Sequence, residues 1–201
     1  MSSLKIPSSH QNLSNDFYDL RLLLCRFLCC SLYMCSYIAG AWTQLGTDIT
    51  DSTTSWNTAS MSADGSRLAV GFSYASDNTG YVRVFSLNSF SSEWIQLGDD
   101  INGEAVGDIS GVSVSLSSDG SILAIGGPSN DGASSNSGQV RVYEYDSASW
   151  IQRGADIDCD AAADISGVSV SLSSNGSILA IGVPSNADAS SNSGQVRVYE
   201  Y

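Results

Sequence analysis

Residues 110–145, SGVSVSLSSDGSILAIGGPSNDGASSNSGQVRVYEY, recur at 166–201 with four differences: Asp119/Asn175, Gly127/Val183, Asp131/Ala187 and Gly132/Asp188. The offset from Ser110 to Ser166 is 56 residues. A looser copy runs from Ser55 to Ser86, where Asp64 to Gly71 aligns with Asp119 to Gly126, and Tyr81 to Phe85 aligns with Gln139 to Tyr143. A fixed period of about 50 residues marks a unit that cannot bury its apolar face alone and must stack on its neighbours.

Within the unit the pattern is that of strands. Val112 to Leu116 alternates large apolar with small polar residues, the period of two of a strand with unlike faces. Ser118-Asp119-Gly120-Ser121 then supplies hairpin chemistry, because Gly tolerates the positive φ of a tight turn. Ile122 to Gly126 is apolar on both faces, as in a central strand covered on both sides. Gly127 to Gly138 is rich in Ser, Asn, Gly and Asp and reads as an exposed loop. Gln139 to Tyr145 is the third strand and Trp150 to Gly154 the fourth; the fourth recurs as Trp94 to Gly98 and Trp42 to Gly46.

The expected fold is therefore all-β, built of propeller-like four-stranded blades in about three repeats, a partial or open propeller behind a short apolar leader. The blades are expected at about 55–98, 111–154 and 167–201, with 42–46 as a spare fourth strand. That strand lacks its blade and Gln195 to Tyr201 lacks its neighbour, so the two are expected to pair, within one chain or across a dimer. A β-sandwich, with Ser113, Ser115 and Ser117 facing water, and a solenoid are the competing architectures.

Composition narrows the function. The chain carries 8 Lys and Arg against 21 Asp and Glu, and from Trp42 onward five Arg, no Lys and 19 acids. Such a surface repels nucleic acid and anionic lipid, and suits cations or basic partners. The single histidine, His10, lies in the polar leader, so nucleophile mechanisms that need an imidazole base have none in the repeats. Cys159 is a lone thiol read as lying in an exposed loop, and Trp42, Trp94 and Trp150 recur at blade spacing as core wedges.

Residues 1–41 form the leader. Met1 to Arg26 is polar and slightly basic, Phe27 to Ala41 is apolar, and the run ends Ala39-Gly40-Ala41, the pattern of a secretory signal peptide cleaved before Trp42. A signal anchor retained through residues 20–42 and an unrelated fused segment are the alternatives.

Gly107 to Pro128 resembles the FG-GAP repeat of integrin alpha-chain-like propellers, and the resemblance covers residues 42–201. Ser110 and Ser166 replace the family's Phe, Gly111 and Gly167 keep its Gly, and Gly126-Gly127-Pro128 and Gly182-Val183-Pro184 stand for Gly-Ala-Pro. The first copy has Phe72-Ser73 at that point. The resemblance implies a β-propeller of secreted or cell-surface proteins that binds protein or glycan, with no catalytic residue.

One constellation suggests chemistry. Asp156, Asp158, Asp160 and Asp164 stand at positions 1, 3, 5 and 9 of a loop, and Asp100, Asn102, Glu104 and Asp108 stand at the same steps one repeat earlier. Alternate oxygen ligands suit calcium, and the resembling family uses a similar loop. Here Ala105 and Ala161 occupy the position of its turn glycine, and the loop precedes the inner strand; a solvated acidic connection is the alternative. No other cofactor is expected. The functional expectation is a non-catalytic binding or adhesion module with a protein or glycan ligand and possible self-association. Its alternative is a fragment of a larger secreted, polysaccharide-acting enzyme.

Overall fold

The strand patterns of the three repeats are realised as three antiparallel sheets, taken in chain order, among the described residues. A computed structural model describes residues 41–51, 57–159, 161–186 and 193–201. The leader expectation, except for Ala41, lies outside them, as do residues 55 and 56 of the first repeat. No helix among the described residues is long and apolar enough to cross a membrane.

In the first sheet β1 (Asn57–Met61), β2 (Arg67–Phe72), β3 (Tyr81–Leu87) and β4 (Trp94–Gln96) lie side by side in chain order. The second repeats this with β6 (Ser113–Leu116), β7 (Ile122–Gly127), β8 (Gln139–Tyr145) and β9 (Trp150–Gln152). The third contains β11 (Ser169–Leu172), β12 (Ile178–Val183) and β13 (Gln195–Glu200). The all-β expectation and the strand order within each repeat hold; ring closure is not seen among the described residues.

Two expectations are corrected. Each fourth strand is followed by a short fifth one, β5 (Ile101–Asn102) on β3 and β10 (Ile157–Asp158) on β8, so the acidic stretch is partly strand. Trp42 to Gly46 forms no strand, and Trp42 is fully exposed. An outer strand exists only by pairing with a third strand, and no such partner lies beside this segment among the described residues. It is nonetheless held where an outer strand would end: the Trp94 indole N–H donates to Leu45 O at 3.2 Å, as Trp150 donates to Leu97 O at 2.9 Å.

The sheets stack by a large-to-small rule written into LAIG. Leu123 and Ile125 point back to the first sheet and pack with Ala69, Val82 and Val84. Ala124 points forward, where Leu179, Ile181 and Val183 of the third sheet pack against it and Val140. Burying each such Leu, Ile or Val contributes about 1.5–3 kcal/mol. The forward face has to be small: a Cβ on Gly71 would lie 2.0 Å from Gly111 O, and one on Gly126 would lie 2.0 Å from Gly167 O.

The serine face is not simply wet. Ser113 Oγ donates to Gly167 O at 2.7 Å, and Ser115 Oγ accepts from the Leu172 N–H at 2.9 Å. Thr58 and Ser60 make the matching bonds to Gly111 O and from the Leu116 N–H. Each such bond contributes about 0.5–1.5 kcal/mol net and fixes the register of one sheet on the next.

Candidate functional site: the loop end of the sheets

Each hairpin turn after an inner strand lies at one end of its sheet, and the loops at the other end carry Glu104, Asp108, Asp131 and Asp164. At the turn end, Asp119 Oδ1 accepts from Ser117 Oγ at 2.6 Å and the Ser121 N–H at 3.0 Å, over Gly120 at φ +68°. The Ser117 hydroxyl, followed by the Ser121 amide, lowers the Asp119 carboxyl. In the first repeat the Ser66 amide and then the Ser62 hydroxyl draw Asp64 down to about 2. These acids are consumed by turn geometry.

At the opposite end the loop entering a sheet is stitched to the loop between the two middle strands of the sheet before it or of its own sheet. Ser110 N–H donates to Thr79 O and Ile109 N–H to Asn78 O; one repeat on, Ser166 N–H donates to Ser137 O and Ile165 N–H to Asn136 O. Asp108, 4% exposed, accepts at Oδ2 from the amides of Glu104 (3.1 Å) and Ala105 (2.8 Å) and from Asn130 Nδ2 (3.1 Å). Asp164, 3% exposed, accepts at Oδ2 from Asn186 Nδ2 at 3.0 Å and from Cys159 Sγ at 3.1 Å. Both carboxylates therefore act as internal caps of their loops. Cys159, expected in an exposed loop, is fully buried because the short strand β10 delivers it into the junction between the second and third sheets.

The remaining residues of the acidic pattern separate. Asp100 takes Arg83 in a two-pronged pair, Nε to Oδ1 and Nη2 to Oδ2, both 2.7 Å, and this raises the guanidinium pKa. Arg83 also lies over the rings of Phe72 and Tyr81. Burial, then the hydrogen bond to Asp51, pushes the Tyr81 phenol up to about 12. Asn102 is used through its backbone, its carbonyl accepting from Arg141 Nη2 at 2.8 Å. Glu104 accepts from Gln139 Nε2 at 3.2 Å and lies 3.8 Å from Arg141 Nη1. Asp156 accepts from Gln152 Nε2 at 2.6 Å, Asp158 has a buried Oδ1 beside Gly132, and Asp160 lies outside the described residues. Among the described residues no three His, Cys, Asp or Glu side chains stand close enough to hold one metal ion. Among the described residues the alternate spacing coincides with the period of two of β5 and β10, each followed by a capping carboxylate. Positive φ falls at Ile109 and Ile165, just after the capping Asp, and not at Ala105.

One cavity at this end, of about 360 Å³, lies between the two loops of the second repeat, with Glu104 and Asp131 exposed around Asp108 and Asn130. The stitching asparagines Asn130 and Asn186 were not singled out in the sequence; their recurrence two residues after each Gly-x-Pro was the available signal.

No family model matches the chain, and no curated protein matches it. Among solved structures it is similar to Kuenenia stuttgartiensis hydrazine synthase, at 15% identity and TM-score 0.43, over 71% of this chain and 33% of that one. It is also similar to TolB from Acinetobacter baumannii, at 15% identity and TM-score 0.39, over 70% of this chain and 31% of that one. The chain thus spans about a third of the length of either.

Proposed function

We propose that the chain is a non-catalytic binding module built of propeller-type blades, acting outside the cell or at its surface, with the acidic loop end as its ligand face. The observation that carries this reading is the stitched loop end. Buried Asp108 and Asp164 fix the loops from within, so the exposed carboxylates Glu104 and Asp131 are held for presentation over an open cavity. A fixed acidic rim recognises a ligand bearing cationic or hydrogen-bond-donating groups, a basic protein segment or an amine- or hydroxyl-rich glycan. The FG-GAP resemblance of Gly107 to Pro128 supports the same class.

The test is to probe arrays of glycans and of basic peptides with the native chain and with Glu104→Gln plus Asp131→Asn. Ligands of this face bind the native chain and lose about tenfold or more in the double variant, roughly 1.4 kcal/mol. Binding indifferent to the double substitution would overturn the assignment of the face. Release of reducing sugar from a polysaccharide would overturn the non-catalytic reading in favour of an enzyme.

A further inference from the structure

The loop end of the second repeat leaves several carboxylate oxygens without a donor among the described residues. Glu104, Asp108 and Asp131 line its cavity together with Asn130 and Gly132. Asp108 is buried, and the hydrogen bonds it accepts from the amides of Glu104 and Ala105 and from Asn130 Nδ2 all fall on Oδ2; no described group donates to its Oδ1. Asp131 accepts the Asn136 amide at Oδ1, at 2.7 Å, and no described group donates to its Oδ2. Glu104 accepts Gln139 Nε2 at Oε2, while its Oε1 lies 3.8 Å from Arg141 Nη1, beyond hydrogen-bond length. Each carboxylate of the cavity is thus bonded through one oxygen only.

A second observation comes from the wall of the same cavity. Asp158 Oδ1, on β10, is buried with no donor among the described residues. A Cβ on Gly132 would lie 2.8 Å from that oxygen and 2.9 Å from Asn130 Oδ1, so only the bare backbone of Gly132 leaves room before these two acceptors. Buried acceptors without donors are costly, and a ligand that brings both donors and positive charge relieves that cost. The chain's formal net charge of −13 draws such a ligand in.

We propose that this cavity is a lysine pocket, which receives the primary ammonium of a lysine side chain on a partner protein, with Asp108 Oδ1 deep in it and Glu104 and Asp131 at its mouth. The pattern of free oxygens selects the cation. A guanidinium prefers both oxygens of one carboxylate, as Arg83 takes both of Asp100, and no carboxylate of the cavity offers such a pair. An ammonium is a compact point charge with three donors, and it suits single oxygens that come from different carboxylates. A divalent metal asks for more converging carboxylates than the described residues bring together. The lysine stem would lie along Ala105 and Val106, of which Val106 is 74% exposed. The inference rests on the loop end being the ligand face, and it names the group bound there.

The experiment titrates the full chain, at about 0.15 M salt, with short capped glycine peptides carrying one central lysine, arginine or acetyl-lysine, and with an oligomer of glucosamine. The lysine peptide binds about tenfold more tightly than the arginine and acetyl-lysine peptides. Asp108→Asn keeps an oxygen for the loop amides but turns an amide donor toward the ammonium, and it removes that preference. Asp131→Asn, on an exposed side chain, weakens lysine binding by about threefold or more and carries the test if Asp108→Asn unfolds the chain. A lysine peptide that binds no better than the other two, or a preference untouched by Asp131→Asn, overturns the pocket. The ligand face itself still stands in that case if ligands found on the arrays are lost in Glu104→Gln plus Asp131→Asn. Tighter binding of the glucosamine oligomer than of the lysine peptide, lost in the same variants, overturns the protein partner in favour of a glycan.

Discussion

Gly138 to Tyr145 and Gly194 to Tyr201 are the same eight residues, GQVRVYEY, in the same register on the same preceding strand. In the second sheet Val140 is fully buried and Val142 half-buried; in the third Val196 and Val198 are 69% and 66% exposed. The strand is made by its own repeat, but its forward face is dried only by the sheet that follows. Local sequence specifies the sheet, and the neighbour supplies most of the energy, as in any array stabilised through nearest-neighbour interfaces.

Substitutions at matched positions separate the two contributions. Val140→Ala removes two methyl groups from the sealed junction and should cost about 2 kcal/mol, whereas Val196→Ala should stay within about 0.5 kcal/mol. Chemical denaturation of both variants checks the pair. A smaller contrast is expected for the inner-strand hydroxyls. Ser113→Ala strips Gly167 O of a donor and should cost about 1 kcal/mol, while the exposed Ser169 should be replaceable by Ala at no measurable cost.

The smallest effect comes from the turns, where the repeats differ by one residue. Asp64 and Asp119 have folded-state pKa values below the ordinary 3.8, so the stability they contribute is present above pH 3.8 and is lost as pH falls through those lowered values, about 2 for Asp64. Asn175 makes the corresponding bonds with Ser173 and Ser177 as an amide, with no charge to lose. Asp64→Asn plus Asp119→Asn should therefore flatten the decline in melting temperature between pH 4 and pH 2 and leave the value at neutral pH little changed. An unchanged acid decline would show that those turns do not contribute to it.

How far the sequence foretold this follows from where each signal lies. The hairpin at Asp119-Gly120 and the doubly apolar Ile122 to Gly126 were legible because they depend on local conformation and on burial of both faces. The roles of Ser113 and Ser115 were not, since a serine facing water and one bonding the next sheet's backbone look alike in a strand pattern. The acidic stretch carries two patterns at once. Alternate carboxylates are a ligand pattern and also the period of a strand, and only the structure showed Asp100 taken by Arg83 and Asp108 by its own loop. Cys159 was read as a loop thiol because two residues of strand pairing at Ile157 and Asp158 leave too little pattern to see.

The large-to-small stacking of consecutive sheets is tested most directly by one added methyl group at equivalent glycines. In Gly126→Ala the new Cβ falls 2.0 Å from the backbone oxygen of Gly167 in the following sheet, whereas in Gly182→Ala it meets only the movable Ser169 hydroxyl of its own sheet. Thermal melts at matched, dilute concentration should show Gly126→Ala losing about 2–3 kcal/mol, roughly 5–10 °C, and Gly182→Ala changing by less than about 1 kcal/mol. Equal losses at the two positions would contradict the stacking described here.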